Sequence, residues 1–180
     1  MFDSDQSPPG SRREASKLET RNRVLTAARE LFAEEGFANA TIRKIADRAG
    51  VAPGSVFTTF ANKDDVLATI IAEKYRDLAR RLEEAVPPPG ADHRMQLKHL
   101  FDTAYGFEFE RLPLIVSQIG ASWSWSREFE AFNRSGLAPI ASALQRILEQ
   151  AIAQGELRAD TDVPFTSDLL FGVYLRNYRL

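Results

Sequence analysis

The sequence predicts an all-α protein. Across its 180 residues apolar side chains recur at three- and four-residue spacing. No stretch alternates apolar and polar residues with period two for long enough to make a strand. Gly and Pro fall between the apolar runs at helix-length intervals. Three segments are expected: a flexible polar arm (1–16), a three-helix region (17–63) and a larger helical region (64–180).

Residues 1–16 contain Pro8-Pro9-Gly10 and little that could be buried. From Lys17 a helix is expected, with Val24, Leu25, Ala28, Leu31 and Phe32 on one face and Gly36 as its stop. A short second helix follows from Thr41, its N-cap, to Ala49, burying Ile42, Ile45, Ala46 and Ala49. Gly50-Val51 makes a tight turn into a third helix, from Pro53 to about Phe60, with proline at a favoured first position. Asn62-Lys63-Asp64-Asp65 resembles a capping box and opens a longer helix whose stripe is Leu67, Ile71, Tyr75, Leu78 and Leu82. It ends before Pro87-Pro88-Pro89-Gly90. Further helices are expected at about 92–111, 112–125, 127–154 (stopped by Gly155) and 164–180.

Composition excludes several functions. There is no Cys, which removes disulfide scaffolds, thiol catalysis and Cys-ligated metal sites. The two His, His93 and His99, lie six apart, which is not the one-face spacing of a helical metal site. Glu108 and Glu110, two apart on a helix, diverge and make no carboxylate pair. No nucleophile elbow, phosphate-binding glycine loop or zinc-protease motif is present. The expectation is therefore no catalytic residues, no metal and no cofactor. No apolar run approaches the roughly 20 residues of a membrane span, and no signal-peptide core opens the chain, so a cytoplasmic location and no membrane partner are expected.

Net charge is −2, but it is unevenly placed. Residues 11–63 carry ten Lys/Arg against six Asp/Glu, whereas residues 64–180 carry thirteen against seventeen. A basic segment on an acidic remainder is what a protein shows when only one part meets a polyanion. Three short helices with Gly50 between the last two describe a helix-turn-helix.

The string RNRVLTAARELFAEEGFANATIRKIADRAGVAPGSVFTTFANKDDVL, residues 21–67, closely resembles the N-terminal domain of TetR-family transcriptional regulators. The resemblance rests on Ala27-Ala28, Leu31-Phe32, Gly36-Phe37, Thr41-Ile42, Ile45-Ala46, Ala49-Gly50-Val51, Gly54-Ser55-Val56-Phe57, Phe60, Lys63 and Leu67. It implies a dimeric regulator, most often a repressor, that inserts its third helix into successive major grooves of a palindromic operator and is released by a small-molecule effector. The two heads would then sit about 34–36 Å apart. The alternative reading is a helical ligand-binding or protein-interaction module without DNA binding.

On this reading the third helix presents Pro53, Gly54, Ser55, Thr58 and Thr59 to the duplex, with Gly54 permitting close approach. Thr41 and Arg43 are placed for phosphate or a nearby base. Lys63 sits at a helix N-terminus, where the dipole disfavours a cation; a phosphate partner would explain it, and the family carries a phosphate-contacting lysine there. Phe57 and Thr59 depart from the family's usual Tyr and His, and Ala52 from its usual Ser or Thr cap. Arg12 and Arg13 of the arm are candidates for a minor groove.

The family's C-terminal helices enclose an effector pocket and form the dimer. Residues 101–132 are rich in aromatics, and Trp123 continues the line Val116–Ile119–Gly120. Phe101, Tyr105, Ile119, Trp123 and Tyr174 are the expected effector contacts, suiting an apolar or aromatic compound. Ser117, Gln118, Ser122 and the Tyr105 and Tyr174 hydroxyls could orient it. The last helix, with Leu169, Leu170, Phe171, Val173, Tyr174 and Leu175, is apolar on too many faces to stand in water. The chain ends at Leu180 in mid-pattern, one helix short of the family's usual count. The operator, the effector and the sign of regulation are not readable from the residues.

Overall fold

The computed structural model describes residues 9–122 and 125–176. Among them are nine helices and no strand: α1 (Pro9–Asn39), α2 (Ile42–Ala49), α3 (Pro53–Phe57), α4 (Lys63–Glu84), α5 (His93–Phe109), α6 (Leu112–Ser122), α7 (Arg127–Gly136), α8 (Ala138–Ala153) and α9 (Val163–Arg176). They form two compact units. One, the head, comprises the described residues up to 70 together with 113–122; the other comprises 71–112 and 125–176.

In the head, α1 begins at Pro9, so residues 9–16 are helical and the expected flexible arm does not extend over them. Proline is at home in a first turn, and Arg12, Arg13, Glu14, Ala15 and Lys17 are strong helix formers, so this polar segment extends the helix without an apolar face of its own. The helical dihedrals break at Gly36, whose φ of 78° and ψ of 160° only glycine adopts easily. Thr41 caps α2 by accepting from the Lys44 amide at 3.2 Å. Gly50 ends α2 in the left-handed region at φ 64°. A side chain there would be strained, and its Cβ would lie 2.7 Å from the Arg23 guanidinium. The helix α3 stops at Phe57, three residues before the expected end, and Phe60 follows in a turn where the Thr59 and Phe60 amides both donate to the Val56 carbonyl at 3.0 Å. Its cap position, Ala52, makes no side-chain cap bond, and Pro53 follows it. The expected capping box of α4 is present and reciprocal: Asn62 accepts from the Asp65 amide at 2.9 Å, and Asp65 accepts from the Ala61 amide at 3.0 Å.

The head's core is formed by Val24, Leu25, Ala28, Leu31 and Phe32 of α1, Ile45, Ala46 and Ala49 of α2, Val56, Phe60, Val66 and Leu67, all buried. In α6, Ile115, Ser117 and Gln118 are buried and Ile119 is half-buried, whereas Val116 is 61% exposed. The inward line assigned through Val116 is therefore wrong. Helical spacing groups Val116 with Ile119 but does not say which side of the helix is covered, and packing chose the face of Ile115 and Gln118.

In the second unit α5, α8 and α9 pack together, with Leu100, Ala104, Leu144, Leu148 and Tyr174 buried. The single helix expected over 127–154 is two, α7 and α8, parted at Gly136-Leu137. Pro139 has no N–H to continue the ladder of α7. Gly136 also lies where a Cβ would come within 2.0 Å of the Tyr75 ring. No described helix is long and apolar enough to cross a membrane.

Candidate nucleic-acid interface and effector site

The second and third helices present a helix-turn-helix whose inner face is fully committed: Ile45, Ala46 and Val56 are 0% exposed. Its outer face carries Thr41, Arg43, Pro53, Gly54 and Thr58, all exposed, with Ser55 and Thr59 half-buried. The Thr41 hydroxyl accepts the cap bond and keeps its proton for another acceptor. Thr58, an exposed residue, donates its hydroxyl to the Ser55 carbonyl at 2.7 Å, which leaves the hydroxyl oxygen able to accept. Space above Gly54 is open: no atom lies within 4 Å of where a Cβ would stand.

The basic residues of the head divide into two groups. Several are spent on the fold. The Arg23 guanidinium donates to the carbonyls of Ala49 and, at 2.9 Å, Gly50, tying α1 to the turn. Arg48 grips Glu34 through two bonds of 2.8 and 2.7 Å, and this pairing holds the Glu34 carboxyl below its ordinary range. Lys44 pairs with Glu35 at 2.6 Å. Arg43, in contrast, is exposed and has no ion pair or hydrogen bond among the described residues.

Lys63 belongs to the first group, which corrects the reason given for it. Its ammonium donates to the carbonyls of Phe37 at 2.6 Å, Ala40 at 2.9 Å and Ala38 at 3.4 Å, and lies 4.2 Å from the centre of the Phe37 ring. Position at the start of α4 disfavours a cation, but the same ammonium reaches the carbonyl end of α1, where a cation is favoured. Partial burial lowers its pKa, with Asp64 opposing. A phosphate is not needed to account for it.

Of the expected effector contacts, the structure brings three together. Phe101, Tyr105 and Tyr174 form one cluster, with ring centroids 6.2 Å (101–105), 6.0 Å (101–174) and 4.9 Å (105–174) apart. Tyr174 is 0% exposed and Phe171 adds a fourth ring at 6.2 Å from it. The Tyr105 hydroxyl donates to the Tyr174 carbonyl at 3.4 Å. Ile119 belongs to the head, and its neighbour Ser117 has a buried hydroxyl with no hydrogen-bond partner among the described residues. Trp123 and the Ser122 side chain lie outside the described residues.

One pair was missed altogether. Lys74 and Glu108 face each other at 3.5 Å with side chains only 5% exposed. Burial pushes the Lys74 pKa down, Glu108 opposes, and Arg111 adds to the lowering. Lys74 also lies 4.5 Å from the centre of the Tyr75 ring, whose hydroxyl donates to Asn133 at 2.7 Å. A signal existed: Lys74 stands three after Ile71 and four before Leu78, on the apolar stripe of α4.

A helix-turn-helix with an exposed outer face on an apolar core is the architecture of a DNA-binding regulator. The family model for bacterial regulatory proteins of the tetR family matches residues 24–70. The fatty acid metabolism regulator protein of Bacillus subtilis (strain 168) is 30% identical over 153 residues, spanning 83% of this chain and 76% of that protein. The HTH-type transcriptional repressor KstR2 of Rhodococcus jostii (strain RHA1) is 27% identical over 157 residues, spanning 87% and 76%. Among solved structures, the transcriptional regulator FadR from Bacillus subtilis in complex with stearoyl-CoA superposes with a TM-score of 0.75 at 25% identity, covering 87% of this chain and 83% of that one. The chain belongs to the tetR family of bacterial regulatory proteins. It is a DNA-binding transcriptional regulator and not an enzyme.

Proposed function

We propose that the protein is a cytoplasmic repressor that binds a palindromic operator as a homodimer and leaves it when an effector with a large apolar part binds the C-terminal unit. The observation that carries the DNA reading is the outer face of the helix-turn-helix. It offers Thr41 and Arg43 for phosphate or base, and Pro53, Gly54, Ser55, Thr58 and Thr59 for base edges. Lys63 acts from behind, holding the end of α1 on which α2 starts.

Phe101, Tyr105 and Tyr174 supply the apolar wall of the effector site. The Bacillus FadR structure holds stearoyl-CoA, which makes a long-chain acyl thioester the first compound to try. Dimerisation uses α9, where Phe165, Leu169 and Val173 recur at four-residue spacing and are 67%, 58% and 56% exposed. Helix α4 runs unbroken through residues 63–84, from head to C-terminal unit. An effector that binds a non-operator spacing of the heads more tightly shifts the population by no more than that difference in affinity.

Fluorescence anisotropy on duplexes selected from random sequence tests this. Binding should be tight at low salt, with log K falling linearly in log salt, and stearoyl-CoA should release the DNA. No binding at low salt sinks the regulator reading; binding that stearoyl-CoA leaves untouched sinks only the acyl effector.

A further inference from the structure

Phe57 stands apart from the other large apolar residues of the reading helix. Val56 and Phe60, in the same turn, are 0% and 2% exposed, whereas Phe57 is 57% exposed. Among the described residues its ring stacks on no other ring and no cation lies over it. The fold therefore does not account for it. An aromatic side chain of this size left in water gives up a large share of the stabilisation its burial would bring.

Its neighbours share this character. Residues three and four apart share a helix face, so Phe57 stands over Pro53 and Gly54. None of the three has a side-chain donor or acceptor, and the space over Gly54 is open. The nearby Thr58 has spent its hydroxyl proton on the Ser55 carbonyl. This is an apolar patch at the centre of a face otherwise suited to a polyanion. A phenyl ring cannot hydrogen-bond a phosphate. In the major groove, one base-edge feature is apolar, the C5-methyl of thymine.

We propose that Phe57 is a specificity-determining residue, reading the C5-methyl of a thymine in each operator half-site by apolar contact. The inference rests on the head binding operator DNA through α3. Specificity at that base comes from shape and burial, and Arg43 and Thr41 supply phosphate or polar contacts alongside it.

The test is a uracil scan. A tight-binding duplex is selected from random sequence with the full chain. Each thymine is then replaced singly by uracil, which removes only the methyl, and affinity is measured at fixed salt. At one thymine per half-site, uracil should weaken binding about fourfold, the effect of one buried methyl. In Phe57→Ala that thymine should become insensitive to the exchange while the other positions keep their responses; Phe57→Leu should retain the sensitivity. Thermal melts of both variants should match the parent, because the side chain is exposed; if Phe57→Ala melts early, Phe57→Leu and the scan on the parent decide. Three results overturn the proposal: a flat scan, a methyl effect that survives Phe57→Ala, or a Phe57→Ala loss equal on every sequence including random duplex, which marks a backbone contact. If the parent binds no DNA, the proposal falls with the regulator reading; a flat scan on well-bound DNA removes the proposal alone.

Discussion

In residues 13–70 of the head every buried side chain is apolar, and Arg23, Lys44, Arg48 and Lys63 make their contacts at or near the surface. In the C-terminal unit a lysine and a glutamate are taken inside together: Lys74 and Glu108, each 5% exposed. The two strategies have different consequences. An exposed ion pair contributes about 0–1 kcal/mol, so the head's surface can change for the sake of DNA without unfolding it. A buried pair resists the loss of either partner, because the survivor is left charged in an apolar setting.

The largest expected effect breaks the buried pair. Lys74→Ala should lower stability by about 3–5 kcal/mol, read from denaturant midpoints, while the double variant Lys74→Met, Glu108→Leu should recover most of it. A single-variant loss no greater than that of a surface pair would erase the contrast between the units. Next are two glycines. Gly136→Ala should cost about 1–3 kcal/mol by forcing a methyl into the Tyr75 ring. Gly54→Ala should leave the melting temperature unchanged or raised but weaken duplex binding, since its Cβ meets nothing in the protein and would meet the DNA.

Lys63→Met sharpens the division within the head. Losing a cation at the carbonyl end of α1 should cost about 1–2 kcal/mol with the salt dependence of DNA binding unchanged. A slope smaller by about 0.9 would instead restore the phosphate contact. Arg43→Gln should do the reverse: a slope reduced by about 0.9, with stability altered by no more than about 0.5 kcal/mol.

The smallest effect concerns acid. His93 donates its backbone N–H to Glu156 at 2.9 Å, its ring nitrogen lies 2.7 Å from the same oxygen, and the Glu156 pKa is held below its ordinary 4.5. A depressed folded value means that the contact stabilises above pH 4.5 and is lost as pH falls through the folded value. Glu34, lowered by Arg48, follows the same sign in the head. Glu156→Gln and Glu34→Gln should each flatten the fall in melting temperature in acid, each in its own unit; no change in either profile would contradict the assigned cause.

Most of the head was legible because its contacts are local. The Thr41 cap, the Gly50 turn and the Asn62–Asp65 box join residues within five positions of one another, and each forms as its sequence pattern suggests. Expectations failed where distant segments intervene. The seventh helix broke at Gly136, which sits against Tyr75 some sixty residues earlier, beside the local effect of Pro139. Val116 stands outward because helical spacing alone cannot say which face of α6 finds a neighbour. Of the effector candidates, Phe101, Tyr105 and Tyr174 share one ring cluster within the C-terminal unit, joined by pairs of contacts up to about seventy positions apart.

The sequence alone determined the helical class, the helix-turn-helix and with them the class of DNA-binding regulator, because helical period, capping and turn glycine act over a few residues. Only the tertiary structure decided what each charge does. Lys63 is a strap because α1 ends within reach of its ammonium, Arg43 is open because no carboxylate among the described residues pairs with it, and Lys74 is tolerated in the interior because Glu108, thirty-four positions away, packs beside it. A charge takes its role from the groups the fold brings within a few ångströms, and no short window of sequence contains them.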